Sequence, residues 1–102
     1  MDEKKILSLM GFAKRAGKVS SGMNKVKSVI QSGKAKLVIV SKDAALNTKE
    51  KLKALSSLKG IPYIEVSSNE ELSKITGEEN KGTYAILDKE FSEAIIKITD
   101  SI

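Results

Sequence analysis

A chain of 102 residues, 40% hydrophobic and 30% charged, can build one modest core and has no room for a second domain. It contains neither cysteine nor histidine, which excludes disulfides, thiol or imidazole catalysis and the usual zinc sites. Its net charge of +5 sits in the first half: residues 1–42 carry ten Lys/Arg and two acids, residues 43–102 eight lysines and eleven acids. Such an asymmetry favours a face that meets a polyanion over an evenly solvated lysine surface.

Asp2 is placed to cap a first helix, with Ile6, Leu9, Met10 and Ala13 as its apolar stripe and Leu7 and Phe12 widening that face. Gly17 ends it, and Lys18 to Ser20 reads as a short extended piece. Ser21 or Gly22 then caps a helix over Met23 to Gln31, with Met23, Val26, Val29 and Ile30 facing inward and Gly33 as its stop. Leu37-Val38-Ile39-Val40 is a continuous β-rich run, expected as a strand buried on both faces. Asn47 is the expected cap of a third helix reaching Lys59 and Gly60, with Leu52, Leu55 and Leu58 as its inner stripe.

Pro62 precedes a strand over Tyr63 to Val66. Ser68 with Glu71 forms a capping box, so a short helix runs to about Thr76 and stops at Gly77. The polar stretch Gly77-Glu78-Glu79-Asn80-Lys81-Gly82 is a loop, Thr83 to Leu87 a fourth strand, and Asp88 or Lys89 opens a last helix that packs through Phe91, Ala94, Ile95 and Ile98. Helix and strand alternate with short links, which implies an α/β fold. We expect a three-layer α/β/α sandwich around a small mixed four-stranded sheet, as one domain over residues 1–102. Strands joined by helical crossovers are expected to be parallel, with the brief first strand free to run antiparallel.

Enzyme chemistry has little to stand on. No Ser/His/Asp set, Walker-type phosphate loop or metal cluster is present, and the pairs Glu70/Glu71 and Glu78/Glu79 point apart where they are helical. No apolar run reaches the roughly 18 residues of a membrane span, and Met1-Asp2-Glu3-Lys4-Lys5 lacks a signal-peptide layout. The expectation is a cytoplasmic protein, not an enzyme, with no membrane partner, no cofactor, no metal and no small-molecule substrate, and monomeric.

Binding is better supported. Asn24 lies in the first turn of a helix that opens after Gly22, where its amide and the unpaired backbone N–H groups can meet a phosphate or a base edge. Lys25 and Lys27 add charge beside it, and Lys18, Lys34 and Lys36, with Lys14 and Arg15, can extend the patch. The opposing view is a plain cap and routine surface lysines, and spacing alone leaves the two about even. Aromatic residues are few and sit in core-like positions, so structured RNA suits the chain better than a base-stacked single strand.

The order helix, Gly-x-Asn, helix, Ala-Lys-Leu-Val-Ile-Val, Asp-Ala, leucine helix, Gly-Ile-Pro-Tyr resembles the ribosomal L7Ae/L30e family over nearly the whole chain. Leu-Met-Gly-Phe-Ala-Lys-Arg-Ala-Gly-Lys, with Ala44-Ala45-Leu46-Asn47-Thr48, is similar to its bacterial YlxQ-type branch. The resemblance implies an α/β/α sandwich that binds kink-turn RNA, through a Gly-x-Asn-Glu-x-x-Lys motif at this helix start and through the loop before the last strand. Here Gly22 and Asn24 match, Lys25 replaces the glutamate, Ser28 stands at the lysine position with Lys27 beside it, and the loop carries Glu78, Glu79 and Lys81.

A lost glutamate removes an acceptor for guanine, and two loop carboxylates repel phosphate, so general RNA affinity is expected to outlast kink-turn specificity. The expected partner is structured RNA, ribosomal RNA foremost, held by Lys18, Gly22, Asn24, Lys25, Lys27, Ser28, Lys34, Lys36 and Lys81. The alternative is a protein partner or a different RNA on the same basic face.

Overall fold

The computed structural model describes residues 2–79 and 81–100. Asn80, expected in a loop, lies outside them. The elements in order are α1 (Glu3–Arg15), β1 (Val19–Ser21), α2 (Met23–Gln31), β2 (Leu37–Val40), α3 (Leu46–Leu58), β3 (Tyr63–Glu65), α4 (Asn69–Thr76), β4 (Thr83–Ile86) and α5 (Lys89–Asp100). Caps read from the sequence account for several of the starts. Asp2 accepts from Lys5 N, Ser68 from Glu71 N at 3.1 Å and Asp88 from Phe91 N at 2.8 Å. Gly77 closes α4 in the left-handed conformation.

The strands form one mixed sheet in the order β1-β4-β2-β3, with helices on both faces. Along the two central strands the side-chain period of two divides the core. Leu37, Ile39, Tyr84 and Ile86 pack with Ile6, Met10, Leu72 and Ile95 of α1, α4 and α5. Val38, Val40 and Ala85 pack with Val26, Ile30 and Leu52 of α2 and α3. All four residues of β2 and of β4 are buried, as a strand covered on both faces requires. The buried Tyr84 hydroxyl lies 3.4 Å from Thr76 Oγ1, whose own proton goes to Leu72 O at 2.7 Å.

Three sequence expectations are corrected. β2 and β3, joined by α3, are parallel, but β4 follows a helix and runs antiparallel to both β1 and β2. After α4 the chain returns to the sheet end from which β3 left: Gly82 O accepts from Ser41 N, and Thr83 O accepts from Gly22 N. The strand therefore has to enter from that end.

Second, α3 begins at Leu46 with Ala45 as its cap position, two residues earlier than an Asn47 cap demands. Leu58 is 78% exposed, because a spacing of three drifts about 60° per step round a helix; the buried place after Leu52 goes to Ser56. Third, Phe12 does not widen the core face of α1. It stands two residues past the buried Met10, about 200° round the helix, and is 54% exposed with the Arg15 guanidinium 4.8 Å from its ring centre.

Candidate nucleic-acid interface

The joint between β1 and α2 turns on a glycine of positive φ. Gly22 has φ +91° and ψ 147°, a conformation open to glycine and hardly to any other residue. That conformation lets the edge strand end and the helix begin within one residue, with Gly22 N donating to Thr83 O at 3.0 Å and Gly22 O accepting from Val26 N at 2.9 Å. No side chain caps α2 and no acid occupies its first turn, a state it shares with α3, whereas α1, α4 and α5 each carry an acid there. The positive end of this helix is thus presented without internal neutralisation.

Asn24, Lys25 and Ser28 are exposed on the outer side of α2, opposite the buried Val26 and Ile30, and Lys27 is half-buried at the flank. Lys81 reaches the same point from the loop before β4: a β-carbon on Gly22 would lie 3.5 Å from Lys81 Cδ and 3.9 Å from its Nζ. Gly22, Asn24, Lys25, Ser28 and Lys81 thereby form one surface. Lys27 borders it.

Glu78 completes the surroundings. Its carboxylate accepts from Lys14 Nζ at 2.7 Å, an ion pair between groups 64 positions apart in the chain. The hydrogen bond and charge of Lys14 hold the Glu78 carboxyl below its ordinary value, and Lys81 and Lys25 act in the same sense. The expected repulsion from this loop is therefore partly answered inside the protein. Glu79 is exposed. Lys14 was legible as a basic residue near the turn, but nothing local in the sequence pairs it with Glu78.

Lys18, Lys34 and Lys36 are not brought to this surface. Lys18 O accepts from Leu87 N and Lys36 N donates to Ile86 O, both beyond the far end of β4, while Lys34 follows the C-terminus of α2. These three lysines are exposed at the opposite end of the sheet from Gly22. Among the described residues no group of three or more carboxylates could hold a metal ion, and no helix is long and apolar enough to cross a membrane.

The arrangement defines a class: a small α/β/α domain with an uncapped helix start and exposed lysines at its surface. Comparison with known proteins makes the class specific. Residues 4–96 match the Ribosomal protein L7Ae/L30e/S12e/Gadd45 family, and the chain belongs to that family. It is 36% identical over 92 residues to the RNA-binding protein YlxQ of Enterococcus faecium, covering 90% of this chain and 88% of that one. A large ribosomal subunit protein eL8 of Thermoplasma volcanium is 32% identical over 96 residues, covering 91% and 78%. A Bacillus halodurans C protein of unknown function superposes with a TM-score of 0.91 at 32% identity, over 95% of this chain and 98% of that one. The Giardia lamblia 15.5kD RNA binding protein shares the fold, with a TM-score of 0.80 at 21% identity over 94% and 82%.

Proposed function

We propose that the protein binds structured RNA of the kink-turn type, ribosomal RNA foremost, in the cytoplasm and without catalysis of its own. The observation that carries this reading is the start of α2: an uncapped, acid-free helix end on a glycine joint, with Asn24 in its first turn and Lys81 lying across it. Gly22 lets RNA approach the backbone, Asn24 and the free N–H groups donate to phosphate or base edges, and Lys25, Lys27 and Lys81 supply charge. Ser28 adds a hydroxyl on the same outer side. The names carried by the YlxQ and eL8 relatives, an RNA-binding protein and a ribosomal protein, support the ligand class.

Affinity for a kink-turn RNA and for a plain duplex of equal length, each across a salt series, tests the proposal. The expected result is a preference for the kink-turn that persists at high salt and drops by about tenfold or more in an Asn24→Ala, Lys27→Ala variant, the scale of one or two lost charge-assisted hydrogen bonds. Unchanged affinity in that variant would remove the site. A second reading, an RNA other than a kink-turn, is favoured by Lys25 at the motif's glutamate position and by Glu78 beside it. In that case both RNAs lose affinity together as salt rises.

A further inference from the structure

A second group of lysines lies away from α2's start. The α1–β1, α2–β2, α3–β3 and β4–α5 connections all fall at the opposite end of the sheet; residues 16–18, 32–36 and 59–62 contribute Lys18, Lys34, Lys36 and Lys59 with no acid, and the β4–α5 turn adds Asp88, which accepts from Phe91 N at 2.8 Å. The four lysines are exposed. The ion pairs of the described residues use Lys14, Lys42, Lys49, Lys74 and Lys89 and none of these four. By contrast, the loops at the Gly22 end, residues 41–45 and 77–82, carry two lysines against three acids.

Backbone hydrogen bonds set the order of the charges along the sheet. Lys18 O meets Leu87 N, Ile86 O meets Lys36 N, and Val38 N meets Pro62 O, each at 2.8–2.9 Å. The row therefore runs from β1 past β4 and β2 to the turn before β3. At about 4.8 Å per strand it spans roughly 15 Å, and a duplex presents one charge per roughly 1.7 Å of axis, so several phosphates fall within its reach. The ordinary explanation is that these cations balance the C-terminal ends of α1, α2 and α3. Three such ends together with Asp88 amount to about −2.5 charges, against about +0.5 from the start of α5, which leaves about half of the charge of the four lysines unanswered.

We infer that this cationic pole is a second RNA-contacting surface that takes the phosphate backbone of a duplex segment, so that one protein molecule bridges two RNA segments across its 25–28 Å body. The ligand class rests on the RNA reading above; the location does not. Sequence-independent backbone contact is the expected mode, since the row consists of flexible lysines on turns, which meet phosphates as point charges.

The test is binding of the full chain to a plain RNA duplex across a salt series, with two variants of equal charge loss. Lys34→Gln, Lys36→Gln, Lys59→Gln should reduce the slope of log affinity against log salt by about 2–3, at about 0.9 per lost phosphate contact. Lys51→Gln, Lys53→Gln, Lys97→Gln removes three exposed lysines elsewhere and should change it by less than about one. In a bead assay, kink-turn RNA loaded with wild-type protein should capture a labelled duplex, and the pole variant should stay on the beads without capturing it. Equal slopes for the two variants, or undiminished capture by the pole variant, overturns the inference. Absence of kink-turn binding by wild type instead defeats the earlier reading, and the duplex slopes still decide the pole.

Discussion

Replacing Gly22 with alanine isolates the cost of the joint on which the α2 surface depends. The added methyl has room, since its nearest neighbour is Lys81 Cδ at 3.5 Å, an ordinary contact with a flexible chain. The penalty is therefore conformational. At φ +91° and ψ 147° an L-residue is strained by about 1–3 kcal/mol, while alanine recovers about 0.4–1 kcal/mol by restricting the unfolded chain. The net loss is about 1–2 kcal/mol, or a Tm lower by about 5–15 °C for a domain of this size.

Thermal unfolding followed by circular dichroism measures it, with Gly33→Ala as the comparison. Gly33 also has positive φ, at +80°, and open space round it, but lies in a plain helix-ending turn. Gly22→Ala should cost more than Gly33→Ala and should also weaken RNA binding, because relief of the strain requires the Gly22 N to Thr83 O bond to give. A Tm within a degree or two of wild type, with RNA affinity intact, would show that the joint relaxes freely and that the glycine has no conformational role there.

Among the described residues Ser67 is the non-glycine residue with positive φ, at 60°, and its buried hydroxyl has no partner among them. Ser67→Gly should raise stability by about 1 kcal/mol, seen as a higher urea midpoint at unchanged slope; a lower midpoint would mean the hydroxyl is satisfied after all. Glu3, Asp43 and Glu78 are all held below their ordinary values, Glu3 mainly by the Lys42 hydrogen bond, Asp43 by that from Asn69 N, and Glu78 by Lys14. Groups lowered on folding contribute fully above their unfolded values, so stability should be level above about pH 4.5 and fall as pH drops through the depressed values. Carboxyl titration by NMR in Lys14→Met should move the Glu78 midpoint upward and leave Asp43 where it was; a stationary Glu78 would refute the pairing.

Most of the fold was legible because its signals are local. Ser68 with Glu71, Asp2, the Gly77 stop and the all-apolar run at Leu37–Val40 each act within a few residues, and each appears in the structure. The direction of β4 was not, because it is set by where α4 and the following loop deliver the chain, a matter of tertiary placement. Leu58 and Phe12 show the limit of apolar spacing as a guide, since hydrophobic character does not say which side of a helix the core takes. In the candidate site, Gly22 and Asn24 were readable as a joint and a helix start. The nearness of Lys81 to Gly22, the pairing of Lys14 with Glu78 and the separation of Lys18, Lys34 and Lys36 to the other end all depend on contacts between distant segments.

The place of β4 governs when the molecule can take shape during translation. β1 has β4 as its sole neighbour in the sheet, and β4 also flanks β2, so the strand made last joins the two parts of the sheet made earlier. From the end of α2 at Gln31 to the end of β4 at Ile86, a ribosome adding about 5–20 residues per second needs about 3–11 s. Throughout that interval the nascent chain has β1 and α2 but no Thr83 carbonyl to receive Gly22 N. The Gly22 joint at the start of α2 is thus completed only once β4 has been made, and a nascent chain short of β4 carries Asn24 and Lys25 without the geometry that orders them.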